Sequence, residues 1–250
     1  MSRQPFSVVI ITRNAASQLG ACLESASFAD EMLVVDSGSD DGTIELAARY
    51  GARVVQKEWL GFGAQKQYAV EAARHDWVLC LDADERVSEA LRASIQAALA
   101  APAAMAYAMP RRNRFMGRWL RHGEGYPDWS LRLFNRRHAR WSDDPVHEKV
   151  LCDAPAARIS GDLLHDSAES LASYLKKQER YTSLAAEALY QAGRRDGVAR
   201  MLLAPALRFV KFYFLRLGLL DGVPGLVHIA IGCRNSFRKY AKLRTLYRCR

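Results

Sequence analysis

The first hundred residues repeat one pattern four times: a short apolar run, then a segment with helical spacing. Residues 6–11, 32–35, 53–56 and 77–81 read as strands. Residues 15–27, 44–50, 64–74 and a stretch capped by Ser88 and running to residue 100 read as helices, with Gly51 closing the second. Strands separated by helices cannot pair through hairpins, so the chain is constrained to an α/β fold: a mostly parallel, Rossmann-like sheet flanked by helices, with right-handed crossovers. In such sheets ligands bind beyond the carboxyl ends of the strands.

Three polar motifs fall at that edge. Thr12-Arg13-Asn14 follows the first strand and Asp36-Ser37-Gly38-Ser39 follows the second. The run Trp77-Val78-Leu79-Cys80-Leu81 stops abruptly on Asp82-Ala83-Asp84-Glu85. Carboxylates two apart share one face of an extended chain, and at a strand end both can converge on one hard divalent cation. A lone Asp-x-Asp is more often a polar turn, but three motifs at one edge shift the balance toward a site. The first loop reads Thr12-Arg13-Asn14-Ala15-Ala16-Ser17, not the G-x-G-x-x-G of a dinucleotide fold, and no Walker lysine loop is present. What remains is a nucleotide pocket in which Asp36 accepts hydrogen bonds from a base or ribose and a cation at Asp84 carries the phosphates.

Composition narrows the classes further. With 50% hydrophobic and 25% charged residues the chain is globular, and 250 residues suit one large domain with an appendage. Cys22, Cys80, Cys152, Cys233 and Cys249 are scattered with no C-x-x-C pair, which argues for reduced thiols and against a zinc ribbon or disulfide frame. Residues 1–5 lead directly into the first strand without a secretory signal, so a cytoplasmic location is expected. A formal net charge of +9 calls for an anionic partner: nucleic acid, a phosphorylated substrate or an acidic membrane surface.

Longer motifs carry a family likeness. Val34-Val35-Asp36-Ser37-Gly38-Ser39-Asp40-Asp41-Gly42-Thr43, with Leu81-Asp82-Ala83-Asp84-Glu85 behind it, resembles the family 2 glycosyltransferases, inverting enzymes of GT-A fold that use nucleotide sugars. Tyr126-Pro127-Asp128, Leu131-Arg132-Leu133-Phe134, Val146-His147-Glu148 and Leu217-Gly218-Leu219-Leu220-Asp221-Gly222 resemble the branch that includes lipopolysaccharide core β-glucosyltransferases. The resemblance implies a GT-A catalytic domain over residues 1–168, a helical extension over 169–250, and Mg2+ or Mn2+ as cofactor. It also implies transfer of glucose from UDP-glucose to a lipid-linked saccharide, heptose of the lipopolysaccharide inner core. Another cell-envelope polysaccharide or a polyprenyl phosphate is the alternative acceptor.

The same resemblance implies roles residue by residue. Thr12, Asn14, Asp36 and Ser37 would contact the nucleotide, with Asp36 at the uracil ring. Lys66 would help hold the base or diphosphate; the alternative is an ordinary solvated helix lysine. Asp82 would face the ribose and metal. Asp84 would be the direct metal ligand, joined by His165 by analogy with many GT-A enzymes. Displacement with inversion needs a base for the acceptor hydroxyl. Glu148, in Asp144-Pro145-Val146-His147-Glu148, is the first candidate and Asp128 the second, and either could instead pair with a neighbouring arginine. His147 would orient the acceptor or Glu148, and Pro145 would open a helix or turn. Arg111, Arg112, Arg114, Arg118, Arg121, Arg132, Arg136, Arg137 and Arg140, interleaved with aromatics, suit phosphorylated sugars better than nucleic acid.

Beyond His165 the character changes. Residues 170–191 read as a helix with a polar face, residues 193–197 break it, and residues 199–217 are strongly apolar with Arg200, Arg208 and Lys211 in one arc. Arg216, Asp221 and Pro224 keep any apolar run short of the roughly 18 residues of a spanning helix. The expected role is a basic amphipathic segment lying on the anionic inner face of the cytoplasmic membrane, with the basic tail 234–250 adding electrostatic attachment. The alternative is a helix packed on the catalytic domain or a second subunit. Two rival functions are a nucleotidyltransferase, which would carry a Gly-rich basic loop after the first strand, and a non-catalytic nucleotide binder.

Overall fold

A computed structural model describes residues 3–143, 148–167, 170–195 and 198–248. Pro145 and His147, and the roles expected of them, lie outside the described residues. The chain forms two compact units, one of residues 1–111 and 128–166, the other of residues 112–127 and 167–250. The expected single boundary after residue 168 therefore omits an excursion at 112–127. That excursion is pinned within the second unit by Asp221, whose buried carboxylate accepts the backbone N–H groups of Arg121 and His122 at 2.8–3.1 Å.

The first unit opens with the expected alternation: β1 (Phe6–Thr12), α1 (Ala16–Ala26), β2 (Glu31–Asp36), α2 (Thr43–Arg49), β3 (Arg53–Gln56), α3 (Phe62–Ala72), β4 (Trp77–Asp82), β5 (Glu85–Val87) and α4 (Glu89–Ala100). Ser88 caps α4 by accepting the Leu91 N–H. Then follow β6 (Ala106–Phe115), whose last residues open the 112–127 excursion that also holds β7 (Arg118–Trp119), and, again in the first unit, β8 (Asp128–Asn135), β9 (Ala139–Trp141), β10 (Val150–Cys152), β11 (Ala157–Arg158) and β12 (Leu163–His165). The sheet order is β3-β2-β1-β4-β8-β6-β12-β5. Its first four strands are parallel, and β8 joins β4 and β6 antiparallel.

Both faces of the central strands are covered, so each reads as an unbroken apolar run and the alternation appears only in the packing. Val8, Ile10, Val34, Leu79 and Leu81 face α1 and α4 residues such as Leu19, Leu23, Leu91 and Ile95. Val9, Leu33, Val35, Val78 and Cys80 face Val70, Phe134 and Trp141 on the other side. Each such fully buried aliphatic side chain contributes on the order of 1.5–3 kcal/mol. The register sets Thr12 beside Asp36 and Ile11 beside Asp82, which brings the three strand ends to one edge.

The second unit holds α5 (Leu171–Gln191), α6 (Val198–Phe209), a π-helical turn (Val210–Leu215), a 3-10 turn (Gly218–Asp221) and α7 (Gly222–Arg248). Ser170 caps α5 through the Ser173 N–H, and Gly193, at φ +68°, ends it while Arg194 N–H bonds back to the Leu189 carbonyl. The helix expected over 199–217 changes pitch after Phe209, where Pro205 has removed an intrahelical donor from the preceding turn. The expected basic tail is no tail: residues up to Arg248 belong to α7, whose Tyr240 and Leu243 are buried with Ala186 of α5. Among the described residues no single helix is long and apolar enough to cross a membrane. The segments Val198–Leu215 and Gly218–Arg248 are bent by 75° where they join.

Candidate active site

The loop after β2 is built around Asp36. Its carboxylate is fully buried; Oδ1 accepts the N–H groups of Gly38 and Ser39 at 3.0 and 2.9 Å, and Oδ2 accepts the hydroxyls of Thr12, at 2.8 Å, and Ser39. Asn14, at φ +52°, ties the first loop to the second: its Oδ1 accepts the Asp40 N–H and its N–H donates to Ser39 Oγ. Ser37 Oγ accepts from the buried Gln65 side chain at 3.0 Å, and Ser37 N–H donates to the Thr12 carbonyl. Thr12, Asn14, Asp36 and Ser37 are thus brought together as expected. Asp36, however, has both oxygens filled from within the protein. It shapes the loop where direct contact with a base was expected, and the exposed Asn14, Gly38 and Asp40 form the rim.

The Asp-x-Asp motif likewise separates. A turn at Ala83-Asp84 ends the extended backbone, so the period-two argument for one shared face fails and the two carboxylates part. Asp82 turns to cations: Oδ1 lies 3.1 Å from Lys66 Nζ and Oδ2 2.6 Å from an Arg132 guanidinium nitrogen. Burial alone would raise its pKa, but Arg132 and then Lys66 outweigh burial and hold the carboxyl well below the usual range. Asp82, expected to face the ribose and metal, is here clamped between Lys66 and Arg132. Asp84 turns the other way, and its Oδ2 lies 3.2 Å from His165 Nε2. Antiparallel pairing of β12 with β5 aligns His165 with Glu85, and the Asp166 N–H donates to the Asp84 carbonyl at 3.0 Å.

Glu85, which sequence reasoning passed over, holds the turn. It is fully buried; one oxygen accepts the Asp82 N–H at 3.0 Å and the other accepts from Arg132 at 2.8 Å and Arg111 at 3.5 Å. Burial would lower the pKa of Arg132, but Asp82 and Glu85 raise it well above its ordinary value. Lys66 continues the series outward. It is buried, not solvated, sits 4.7 Å over the Trp141 ring, and reaches Glu148 Oε1 at 3.4 Å. At the opposite end Arg111 grips Asp128 with two donors at 2.9 and 2.7 Å.

The result is one series of alternating sign, Glu148, Lys66, Asp82, Arg132, Glu85, Arg111, Asp128, each neighbour 2.6–3.5 Å from the next. Lys66, Arg132 and Glu85 are buried, Asp82 and Arg111 are partly exposed, and the two ends, the two candidate bases, reach water with side chains 23% and 40% exposed. They differ in how they are held. Asp128 lies in a guanidinium fork, whereas Glu148 meets, among the described residues, one ammonium at the longer distance of 3.4 Å, so Glu148 is the less firmly held of the two and the better placed to act as a base. Cys22, beneath the turn, is no nucleophile: burial, then Glu85, Asp82 and Asp84, push its thiol well up.

The arginines of the basic stretch are engaged in several separate ways. Arg111 and Arg132 are inside the series just described, while Arg136 donates to the Val70, Glu71 and Ala73 carbonyls at the end of α3. Arg137 pairs with Asp76 and Arg140 with Asp143. Arg112, Arg114, Arg118 and Arg121 belong to the second unit, where Arg118 donates to the Leu220 carbonyl at 3.0 Å.

A divalent cation fits the Asp84 and His165 pair as a two-donor site. Hard cations that bind nucleotides take one or two side chains and complete their shell with phosphate and water oxygens. Among the described residues no group of three or more His, Cys, Asp or Glu side chains converges as a metal site, so diphosphate oxygens would supply the rest.

Comparison with known proteins agrees with this geometry. The model of glycosyl transferase family 2 matches residues 7–158, which span every site residue above except His165. The chain is 30% identical over 248 residues to the lipopolysaccharide core biosynthesis glycosyltransferase LpsC of Rhizobium meliloti (strain 1021), covering 96% of this chain and 92% of that one. It is 28% identical over 253 residues to an uncharacterized glycosyltransferase of Rickettsia typhi (strain ATCC VR-144 / Wilmington), with 96% and 87% covered. In fold it is similar to mannosyl-3-phosphoglycerate synthase of Rubrobacter xylanophilus, with a TM-score of 0.52, 18% identity and 77% and 76% of the chains covered. It is also similar to glucosyl-3-phosphoglycerate synthase of Mycobacterium tuberculosis, solved with Mg2+ and uridine diphosphate, with a TM-score of 0.51, 17% identity and 78% and 81% covered. The chain belongs to glycosyl transferase family 2 and is a glycosyltransferase of GT-A-like fold related to a lipopolysaccharide core biosynthesis enzyme.

Proposed function

We propose that the protein is a metal-dependent, inverting glycosyltransferase that moves glucose from UDP-glucose to a lipid-linked saccharide. The acceptor in this reading is heptose of the lipopolysaccharide inner core, met at the inner face of the cytoplasmic membrane. The observation that carries the reading is the pairing of Asp84 with His165 beside the Asp36 loop, at the edge where such sheets bind nucleotides. The likeness to LpsC along nearly the whole chain supports the acceptor class.

The chemistry follows from the groups present. Backbone and side chains of the Asn14 and Gly38 rim hold the nucleotide. Asp84 and His165 hold Mg2+ or Mn2+, which when bound neutralises the charge of the departing diphosphate. Lys66 keeps one oxygen of Glu148 in place, and the other accepts the proton of the attacking sugar hydroxyl. Attack opposite the diphosphate then inverts the anomeric centre. Glu85 and Arg132 fix the turn that aims Asp84.

A panel of nucleotide sugars assayed for UDP release with Mg2+ or Mn2+ and an inner-core acceptor tests this. One donor should be turned over by the intact protein and not by Asp84→Ala, with His165→Ala weakened mainly in its metal requirement. Turnover that is indifferent to metal and to Asp84→Ala would overturn the reading.

A further inference from the structure

We propose that the elbow between α6 and α7, and not the basic C-terminal part of α7, is the segment that enters a lipid bilayer, as a re-entrant wedge with a cationic collar. The proposal deepens the membrane location proposed above and rests on it. Neither α6 nor the π-helical turn contains a buried residue. Leu202, Leu203 and Leu207 on α6 are 57%, 58% and 68% exposed, and Phe214, Leu215 and Val223 around the bend are 52%, 76% and 66% exposed. Large aliphatic and aromatic side chains left in water over one continuous stretch mark a surface that meets something apolar.

The bend is built, not frayed. Leu217 lies in the left-handed region at φ +55°, and a Cβ on Gly218 would stand 2.6 Å from the Phe212 carbonyl oxygen, so the two arms close tightly at that point. Asp221 then locks the turn to the Arg121 and His122 backbone. The second arm turns 75° from the line of the first, so the pair cannot cross as one straight span, and we read it as a wedge that enters one leaflet at the bend.

Charge selects the occupant. From residue 198 to residue 248 the one acid is Asp221, which is buried, against ten lysines and arginines. Toward the end of α7 these cations are partly answered within the unit, since Arg238 and Lys242 both pair with Glu179. Around the elbow, Lys211 and Arg216 stack near the Phe212 ring and Arg118 reaches the Leu220 carbonyl, with no exposed acid in the stretch. Arg208 is answered by Glu124 of the same unit, but an apolar tip rimmed by Lys211, Arg216 and Arg118 complements acyl chains beneath anionic headgroups. A second copy would bring like charge to like.

Flotation of the full-length protein with phosphatidylcholine vesicles, with and without phosphatidylglycerol, tests the assignment. Leu207→Asp with Leu215→Asp should lower vesicle binding at least about tenfold on both compositions. Lys211→Glu with Arg216→Glu should abolish the preference for phosphatidylglycerol, and Arg244→Glu with Arg248→Glu should change binding less than about threefold. An elbow pair that floats like the intact protein would overturn the proposal. So would an intact protein that forms a dimer through this face, broken by the elbow pair, and does not float. Flotation requires no turnover, so it stands if the transferase reading fails. Retained UDP release by a non-floating elbow pair would show that the fold survives and that the loss lies at the membrane.

Discussion

In the first unit Lys66, Glu85 and Arg132 are buried among the leucines and valines of a closed core, each held by partners of opposite sign. In the second, Leu207, Leu215 and Val223 stand in water beside lysines and arginines. Each arrangement is unfavourable by itself. Desolvated charge costs several kcal/mol per ion unless geometry repays it, and exposed apolar surface forgoes about 25 cal/mol per Å² until something covers it. The first unit answers its cost internally, through a series that fixes where Asp84 and Glu148 stand. The second leaves the answer to a partner.

That contrast can be broken by substitution. Arg132→Met should have the largest effect, about 3–5 kcal/mol of stability in chemical denaturation, because it strands the carboxylates of Asp82 and Glu85. A loss under about 1 kcal/mol would mean that the series is not coupled. Leu79→Ala, at a fully buried position of β4, should cost about 2–5 kcal/mol by the same measurement.

Acid should act more gradually. Burial tends to raise the Glu31 pKa, but the Ser7 hydroxyl, the Arg74 N–H and Arg53 together lower it, and Asp82 is held low by Arg132 and Lys66. Native carboxyls with lowered pKa bind fewer protons than the unfolded chain. Their contribution is therefore full above about pH 4 and lost as pH falls through the native values. Denaturation midpoints followed from pH 6 to about pH 2 should drop below pH 4, with a shallower drop in Glu31→Gln. The smallest effect sharpens the comparison: Leu207→Ala should change stability by no more than about 0.5 kcal/mol, although it removes the same atoms as Leu79→Ala.

The elements of residues 6–100 were legible because local patterns decide them: apolar runs of strand length, Ser88 before a helix, and polar residues where strands end. The meeting of Asp84 with His165 was reachable only through the family likeness, since 81 positions separate them and an antiparallel pairing near the end of the unit joins them. Asp36 and Asp82 were placed at the right edge, but the side chains that hold them there were not foreseen. Their partners, Thr12, Lys66 and Arg132, arrive from other strands and helices, and nothing local announces them. The strands β6 and β8 were hidden because arginines interrupt their apolar runs, half-buried in β6 and buried in Leu131-Arg132-Leu133-Phe134 of β8. That same flanking, together with Glu85 directly behind the Asp-x-Asp, was the available signal for a buried charge series.

The central claim is that one end of this series does chemistry and the other is structural. UDP release with donor, metal and acceptor present, measured beside UDP binding for Glu148→Gln and Asp128→Asn, tests it most directly. Turnover should fall about 10²–10⁴-fold for Glu148→Gln with UDP still bound, and far less for Asp128→Asn. Full turnover by Glu148→Gln, or the reverse ranking of the two variants, would contradict it.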